Sequence, residues 1–285
     1  MPGMVSLPSA SSLCVSVVVY HSNLQRLQET LETLQASVHA ARSAGAVSRV
    51  AVVVVDNSLC PDYHRDVLAV IDRVSSTDAA VEYRVLAATS NSGYGAGHNS
   101  ALETCESDYH LILNPDIVSD PTSLLAGVGY LREHPGVALV CPDGVLADGR
   151  PAYLSKRMPS VLVLALRAFA PNWLQARFAP RLARYAMHDV HAAGRPAPVP
   201  LASGCFMLVR SGALRQIGGF DPAFFLYFED FDLSLRLAPL GELHYLPAMR
   251  VRHYGGDSAR KGLRHLACFL RSGLRFFHRY GWRWL

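Results

Sequence analysis

Residues 111–116 read Leu111-Ile112-Leu113-Asn114-Pro115-Asp116. A short apolar run closed by the turn-forming Asn-Pro-Asp predicts a buried strand with a lone carboxylate at its C-terminal tip. Two later segments end in the same style. Glu229-Asp230 follow the apolar run Phe224 to Phe228, and His253 closes a third run. Open α/β sheets bind ligands at the carboxyl ends of their strands. Carboxylates and a histidine gathered there suit a cleft that handles a divalent cation and a proton.

The surrounding pattern supports such a sheet. Val15–Tyr20, Ala51–Val55 and Val81–Leu86 read as buried strands, as does Tyr109–Leu113. Between the first two, Leu24, Leu27, Leu31, Leu34 and Val38 recur at helical spacing, after a Ser22/Gln25 capping box. A Gly-rich loop leads into a helix near 97–105. Strands alternating with helices imply βαβ units and a mostly parallel sheet. After Pro142 the pattern changes. Residues 143–159 read as loop, 160–187 mix apolar residues with arginines, and 191–200 form an Ala/Pro/Gly linker. Leu201–Val209 resumes as a strand, Asp230–Leu237 reads as a helix, and Leu243–Leu246 and Met249–His253 as two short strands. A further helix is expected near Pro121.

The chain has 285 residues, half of them hydrophobic, enough for one large domain with a sizeable core. The six cysteines are scattered with no Cys-x-x-Cys pair, which argues against a disulfide framework or a zinc site and suits a reducing cytoplasm. No basic n-region precedes Val15 and no run of 18 apolar residues occurs, so neither a signal peptide nor a membrane span is expected. The net charge of +4 conceals a division. Residues 1–149 hold 7 Lys and Arg against 16 Asp and Glu, whereas 150–285 hold 20 against 7. The second half is therefore expected to face something anionic.

Five segments together resemble the family-2 glycosyltransferases. They are Asn91-Ser92-Gly93-Tyr94-Gly95-Ala96-Gly97-His98-Asn99, Leu113-Asn114-Pro115-Asp116, Ser203-Gly204-Cys205-Phe206-Met207, Gly218-Gly219-Phe220-Asp221 and Phe228-Glu229-Asp230-Phe231-Asp232-Leu233. The bacterial rhamnosyltransferase-like branch is the most similar, over about Val15 to Ser258. The resemblance implies a GT-A fold: an α/β protein with a Rossmann-like, mostly parallel central sheet flanked by helices. Residues 1–258 would form one domain, with a nucleotide-binding half at 15–142 and an acceptor half at 143–258 that carries an insertion at 160–200. A basic amphipathic helix would follow at 259–285.

The same resemblance implies roles. Tyr20, Asp56, Asn91, Gly93, Gly95, Asn99 and Asn114 would hold the donor nucleotide. Read from position alone, Asp56 is equally a turn residue or helix cap, and glycines at 93, 95 and 97 let the chain approach a ligand or simply form a flexible loop. Asp116 would bind Mg²⁺ or Mn²⁺, with Asn114 standing where the family's first Asp belongs. One carboxylate is chemically adequate, because such cations take remaining ligands from phosphate and water. His253 falls where the family places a histidine facing the metal or diphosphate. Asp230, with Glu229 beside it, would be the general base. Both acids also suit a helix N-terminus. Asp232 is read as structural. Arg157 is a candidate for diphosphate or acceptor, and Lys156 is read as solvated surface.

The expected activity is inverting transfer of a sugar, L-rhamnose from dTDP-rhamnose, to a hydroxyl of a glycan or lipid-linked glycan such as a lipopolysaccharide precursor. The alternatives are another donor such as a UDP-hexose, or a non-catalytic sugar- or nucleic-acid-binding module. A nucleotidyltransferase would carry a Gly-rich, Lys/Arg-containing signature that 20–25 lacks, and the arginines lack the interleaved aromatics of a base-stacking platform, so no nucleic-acid partner is expected. In the tail, Leu263, Leu266, Ala267, Leu270, Leu274 and Phe277 follow helical spacing among Arg260, Lys261, Arg264, Arg271, Arg275 and Arg279. That pattern predicts peripheral binding to an anionic membrane, at the inner face of the cytoplasmic membrane, or else a helix packed on the core.

Overall fold

The structure is a computed structural model that describes residues 10–78, 80–255 and 262–285. Its valine-rich segments form strands covered on both faces, as continuous apolar runs in a parallel sheet require. β1 (Ser11–Val19), β2 (Val47–Asp56), β3 (Val81–Ala87) and β4 (Tyr109–Leu113) pair in parallel in the order β3-β2-β1-β4. The crossovers are α1 (Leu24–Ser43), α2 (Pro61–Ser75) and α3 (Tyr94–Thr104). Parallel pairing puts the C-terminal tips of all four strands on one edge.

Beyond β4 the chain adds β5 (Ile117–Ser119), α4 (Ser123–Glu133) and β6 (Val137–Leu146), which crosses residue 142 where the two halves were expected to meet. β7 (Ser155–Lys156) follows. Then come four short helices in the expected insertion: α5 (Val161–Phe169), α6 (Asn172–Arg177), α7 (Ala179–Tyr185) and α8 (His188–Ala193). β8 (Ala197–Pro198), β9 (Leu201–Ala202), β10 (Phe206–Arg210), α9 (Ser211–Gln216), α10 (Glu229–Leu237), β11 (Glu242–His253) and α11 (Leu263–Tyr280) complete the chain. β10 inserts antiparallel between β4 and β6, β11 runs parallel to β6, and β5 and β8 pair antiparallel with β11. Six of the nine strands thus run one way. β7 and β9 form a separate two-stranded ribbon.

Several sequence expectations change in detail. The cap of α1 is Asn23, whose Oδ1 accepts the Arg26 N–H at 3.0 Å, while Ser22 Oγ accepts from Tyr20 N–H instead. The strand expected at 201–209 breaks into β9 and β10, because Gly204 turns between them. The two strands expected at 243–253 are one, β11, with a register shift between Leu246 and Arg250. Part of 143–159 is strand rather than loop, and 191–200 holds the end of α8 and β8. Phe224 to Phe228 is an irregular turn.

α11 carries two apolar strips. Phe276 and Phe277 are buried against Phe224 and Phe228, so the helix packs on the protein with one apolar strip. Leu263, Leu266, Leu270 and Leu274 form a second strip, and all four face solvent. Arg260 and Lys261, and the expected boundary at Ser258, lie outside the described residues. No described helix is long and apolar enough to cross a membrane.

α3 is fixed by polar contacts as well as packing. Ser16 Oγ on β1 lies 2.6 Å from His98 Nδ1 and 2.8 Å from His110 Nε2. One hydroxyl donates to one ring and accepts from the other, and burial pulls both imidazoles below their ordinary pKa, His110 to about 3. Asn99 clamps the loop before α10, with Oδ1 accepting from Phe220 N–H and Nδ2 donating to Phe220 O, both at 2.8 Å. Asn99→Ala leaves both groups of Phe220 unpaired and should cost about 1–3 kcal/mol. Chemical denaturation measures the loss, and an unchanged midpoint would show that the clamp contributes nothing.

Candidate active site

Sheet register assembles the site. His253 pairs with Ile117 in the β11–β5 ladder, and the Tyr254 N–H donates to Asp116 O at 3.1 Å. These contacts bring the tip of β11 beside Asp116, whose Oδ1 lies 3.4 Å from His253 Nε2. That oxygen is buried and has no hydrogen-bond partner. A buried carboxylate oxygen left unpaired is free to accept from a cation, a water or a donor proton. Among the described residues no cluster of three or more His, Cys, Asp or Glu could hold a metal ion. One carboxylate and one imidazole nonetheless fit a hard cation that keeps waters and phosphate oxygens as its other ligands.

Register also delivers the second pair of acids. Phe206 pairs with Leu113 and the Asn114 N–H donates to Cys205 O at 2.9 Å, which sets the Gly204 turn against the tip of β4. Asp230, in the first turn of α10, accepts the Gly204 N–H on Oδ2 at 3.0 Å and the Phe231 N–H on Oδ1 at 2.9 Å. A Cβ on Gly204 would sit 3.2 Å from that of Asp230, so a side chain there would press on the carboxylate by a few tenths of an ångström. Burial raises the Asp230 carboxyl above its ordinary pKa, against the lowering pull of the two amides and of the Lys156 charge. Glu229 is more deeply buried, and its Oε2 has no partner. Desolvation and the neighbouring Asp230 charge push it well above the usual carboxylate range.

Tyr94 joins the two sides and was not singled out from the sequence. Its hydroxyl lies 2.7 Å from Gly204 O and 2.9 Å from Asn114 Oδ1. Burial, with the charges of Glu229, Cys205, Asp230 and Asp116, holds its pKa well above 10. The only sequence signal for it was its place inside the Gly-rich segment. The glycines around it admit the protein's own chain. A Cβ on Gly93, where φ is 99°, would meet Phe225 O at 2.2 Å, and one on Gly95 would meet Phe220 Cβ at 2.6 Å. The Tyr94 N–H donates to Phe225 O at 3.0 Å, and Asn91 Oδ1 accepts the Gly93 N–H at 3.1 Å.

The remaining residues divide by location. Asp56 ends β2 beside Tyr20 at the end of β1, on the same sheet edge. It is buried, with Oδ1 accepting the Ser58 N–H at 2.8 Å and Oδ2 lying 3.0 Å from His64 Nδ1. Tyr20 is exposed. Arg157 forms a two-pronged pair with Asp189 at 2.6 and 2.9 Å and donates to Arg184 O, which ties β7 to α7 and α8. Lys156 is not solvated surface. It is half-buried, its ammonium donates to Tyr153 O, and desolvation with the nearby Arg167 charge pulls its pKa down to about 7. Asp232 is fully buried and accepts from Arg236, Arg279 and Tyr280, a structural hub as expected.

The turn before α10 carries strain. Tyr227 and Phe228 have φ of 69° and 64°, two consecutive left-handed residues that are not glycine. Each costs on the order of 1 kcal/mol, and surrounding contacts must hold them there.

Residues 12–267 match the family described as "Glycosyltransferase like family 2". The chain is 30% identical over 217 residues to N-acetylglucosaminyl-diphospho-decaprenol L-rhamnosyltransferase of Mycobacterium tuberculosis, covering 70% of this chain and 69% of that one. It is 28% identical over 178 residues to Rhamnosyltransferase WbbL of Escherichia coli, covering 59% and 63%. The structure of GalNAc-T7 with UDP, GalNAc and Mn²⁺ superposes with a TM-score of 0.63 at 13% identity, over 94% of this chain and 48% of that one. At that identity the likeness shows the fold, which is GT-A; the chain spans about half the length of that structure. The chain belongs to the family-2 glycosyltransferases.

Tyr94→Phe should cost about 1 kcal/mol of stability, because one hydroxyl serves two acceptors across the site. Thermal unfolding reads it, and an unchanged melting temperature would mean that the hydroxyl does not tie the two loops.

Proposed function

We propose that the chain is an inverting rhamnosyltransferase that moves L-rhamnose from dTDP-rhamnose to a hydroxyl of a lipid-linked glycan precursor. The reading takes residues 15–142 as the donor half and 143–258 as the acceptor half. The two rhamnosyltransferases it resembles support the sugar, and the printed name of the mycobacterial one supports a lipid-diphosphate-linked acceptor. dTDP and inversion follow from the resemblance of its motifs. The observation that carries the reading is the coupling of Asp230 through Gly204 and Tyr94 to the tip of β4, two residues from Asp116. A base for the acceptor and a carboxylate for the donor thereby share one edge of the sheet.

In this mechanism Asp230 removes the proton of the acceptor hydroxyl as its oxygen attacks C1 of the sugar and the nucleoside diphosphate leaves. Backbone amides at Gly204 and Phe231 hold the carboxylate in orientation, and partial desolvation raises its basicity. Asp116 and His253 would hold Mg²⁺ or Mn²⁺, which when bound supplies positive charge beside the leaving diphosphate. Tyr20, Asp56, Asn91 and the Gly93–Asn99 segment would border the nucleoside, and Arg157 would lie toward the diphosphate or acceptor. A lipid-linked acceptor puts the enzyme at the inner face of the cytoplasmic membrane. Thermal shift against dTDP-rhamnose and UDP-hexoses separates the donors, because a bound ligand raises stability as ln(1 + [L]/Kd). Stabilisation by a UDP-hexose alone would replace the donor assignment.

Asp230→Asn should lower transfer by roughly 10²–10⁴-fold while donor binding persists. Because the folded protein favours its protonated form, the acid limb of the rate should lie above about 4, the ordinary carboxylate value. Lys156→Gln removes a lowering charge and should move the limb higher still. Near-wild-type turnover of the Asn variant, or a limb at the ordinary value, refutes the base.

Asp116→Ala should weaken metal-dependent donor binding, measured by calorimetry with and without Mn²⁺. Full transfer in excess EDTA would show that side chains alone meet the diphosphate charge.

A further inference from the structure

α11 touches the catalytic turn with one face and solvent with the other. On its inner face Ser272 Oγ donates to Leu226 O at 2.9 Å, and His265 Nδ1 lies 3.0 Å from the Tyr227 hydroxyl. The Phe276 ring packs on that of Phe228 at 5.3 Å. Gly273 leaves room for this, since a Cβ there would come within 3.3 Å of the Phe228 ring. These contacts converge on Leu226, Tyr227 and Phe228, the last two being the left-handed pair directly before Glu229 and Asp230.

The outer face has another character. Leu266, Leu270 and Leu274 are exposed, the last two by 50% and 54%. Arg264, Arg271 and Arg275 are exposed on the same helix. Residues 258–285 contain no Asp or Glu at all. An apolar strip flanked only by cations is complementary to an anionic bilayer, where leucines enter the acyl boundary and arginines meet headgroup phosphates.

We propose that α11 docks on an anionic lipid bilayer through its leucine–arginine face and that docking stiffens the Tyr227–Phe228 turn through Ser272 and Phe276, ordering the catalytic carboxylates. The inference rests on the reading of Asp230 as the base for its functional meaning, though not for its test. In solution α11 supports one side of the turn, opposite the Tyr94 N–H that holds Phe225 O. Seated on lipid, it becomes a fixed support, and two backbone conformations that local sterics disfavour gain a rigid partner. Ser272 is a positioning residue in this scheme, since it acts on the carboxylates through Leu226.

The test uses the full chain with vesicles of phosphatidylglycerol and phosphatidylcholine, against phosphatidylcholine alone. Three exposed arginines near an anionic surface predict on the order of 100-fold stronger binding to the anionic vesicles. Bound protein should show slower amide hydrogen exchange at residues 226–231. Replacing Leu266, Leu270 and Leu274 together by Ser should abolish co-sedimentation while the protein stays cooperatively folded with only a small fall in melting temperature, because those side chains are half-exposed. Ser272→Ala should still sediment but lose the added protection at 226–231. Equal sedimentation with neutral vesicles, undiminished sedimentation of the triple variant, or binding that leaves 226–231 unchanged would each overturn the proposal. So would full vesicle-dependent protection in Ser272→Ala, or release from anionic vesicles by single-stranded DNA of equal charge, which would mark a generic polyanion surface. Neither readout needs turnover. Failed docking therefore leaves the transferase reading intact, and failed transfer leaves the docking result standing.

Discussion

The antiparallel insertion of β10 between β4 and β6 governs the rest of the site. A purely parallel sheet would present only strand tips along its carboxyl edge, each followed by a helix leading away. β10 runs the other way, so it begins at that edge, and the turn before it arrives beside the tip of β4. Phe206 opposite Leu113 sets this register, and the Asn114 N–H to Cys205 O bond extends it by one step. Gly204 then offers an amide to Asp230 and a carbonyl to Tyr94. A slip of one residue in the β4–β10 pairing would turn both groups away and separate the acidic helix from the strand tip.

Much of this architecture was legible because its signals are local. The buried strands are runs of β-branched residues, and β4 has the bounds that the run before Asn114 implied. Asp116 and His253 were visible as polar residues ending apolar segments. What stayed hidden depends on partners distant in sequence. The break at Ser203–Cys205 was invisible because the run 201–209 is apolar on both sides of it. Tyr94 acts across 110 residues to Gly204, and nothing adjacent announces that. The cap of α1 fell to Asn23 because Ser22 was already taken by the backbone of Tyr20. Lys156 looked solvated because a charged side chain in a polar loop usually is, whereas here the segment is strand and the ribbon carries it inward.

The glycines illustrate how a motif serves more than its apparent purpose. A loop with glycines at 93, 95 and 97 reads as a surface cleared for a ligand. Here Phe225, Phe220 and Val18 occupy the spaces that side chains would have filled. The effect is to draw α3 against the loops that lead into α10. Asn99, one turn further along, completes the attachment through both backbone groups of Phe220. The Gly-rich segment and the loop that delivers Glu229 and Asp230 are therefore one mechanical unit, and substitutions in the first should be felt in the second.

Electrostatics explains why that unit must be rigid. Glu229 and Asp230 are adjacent carboxyls withdrawn from water, burial raises the cost of ionising both, and the Asp230 charge adds to it at Glu229. A pair left to relax would rotate outward and be solvated. Outward rotation is opposed at Asp230 by two amide donors, and at the chain entering α10 by a left-handed turn pressed from beneath by α11. The buried Asp232 hub, tied to Arg279 and Tyr280 of α11, anchors the same helix from its far side. The basic terminal helix is thus a structural wall of the acidic site. Its arginines divide accordingly, with Arg279 turned inward to compensate buried acids and the others left facing outward.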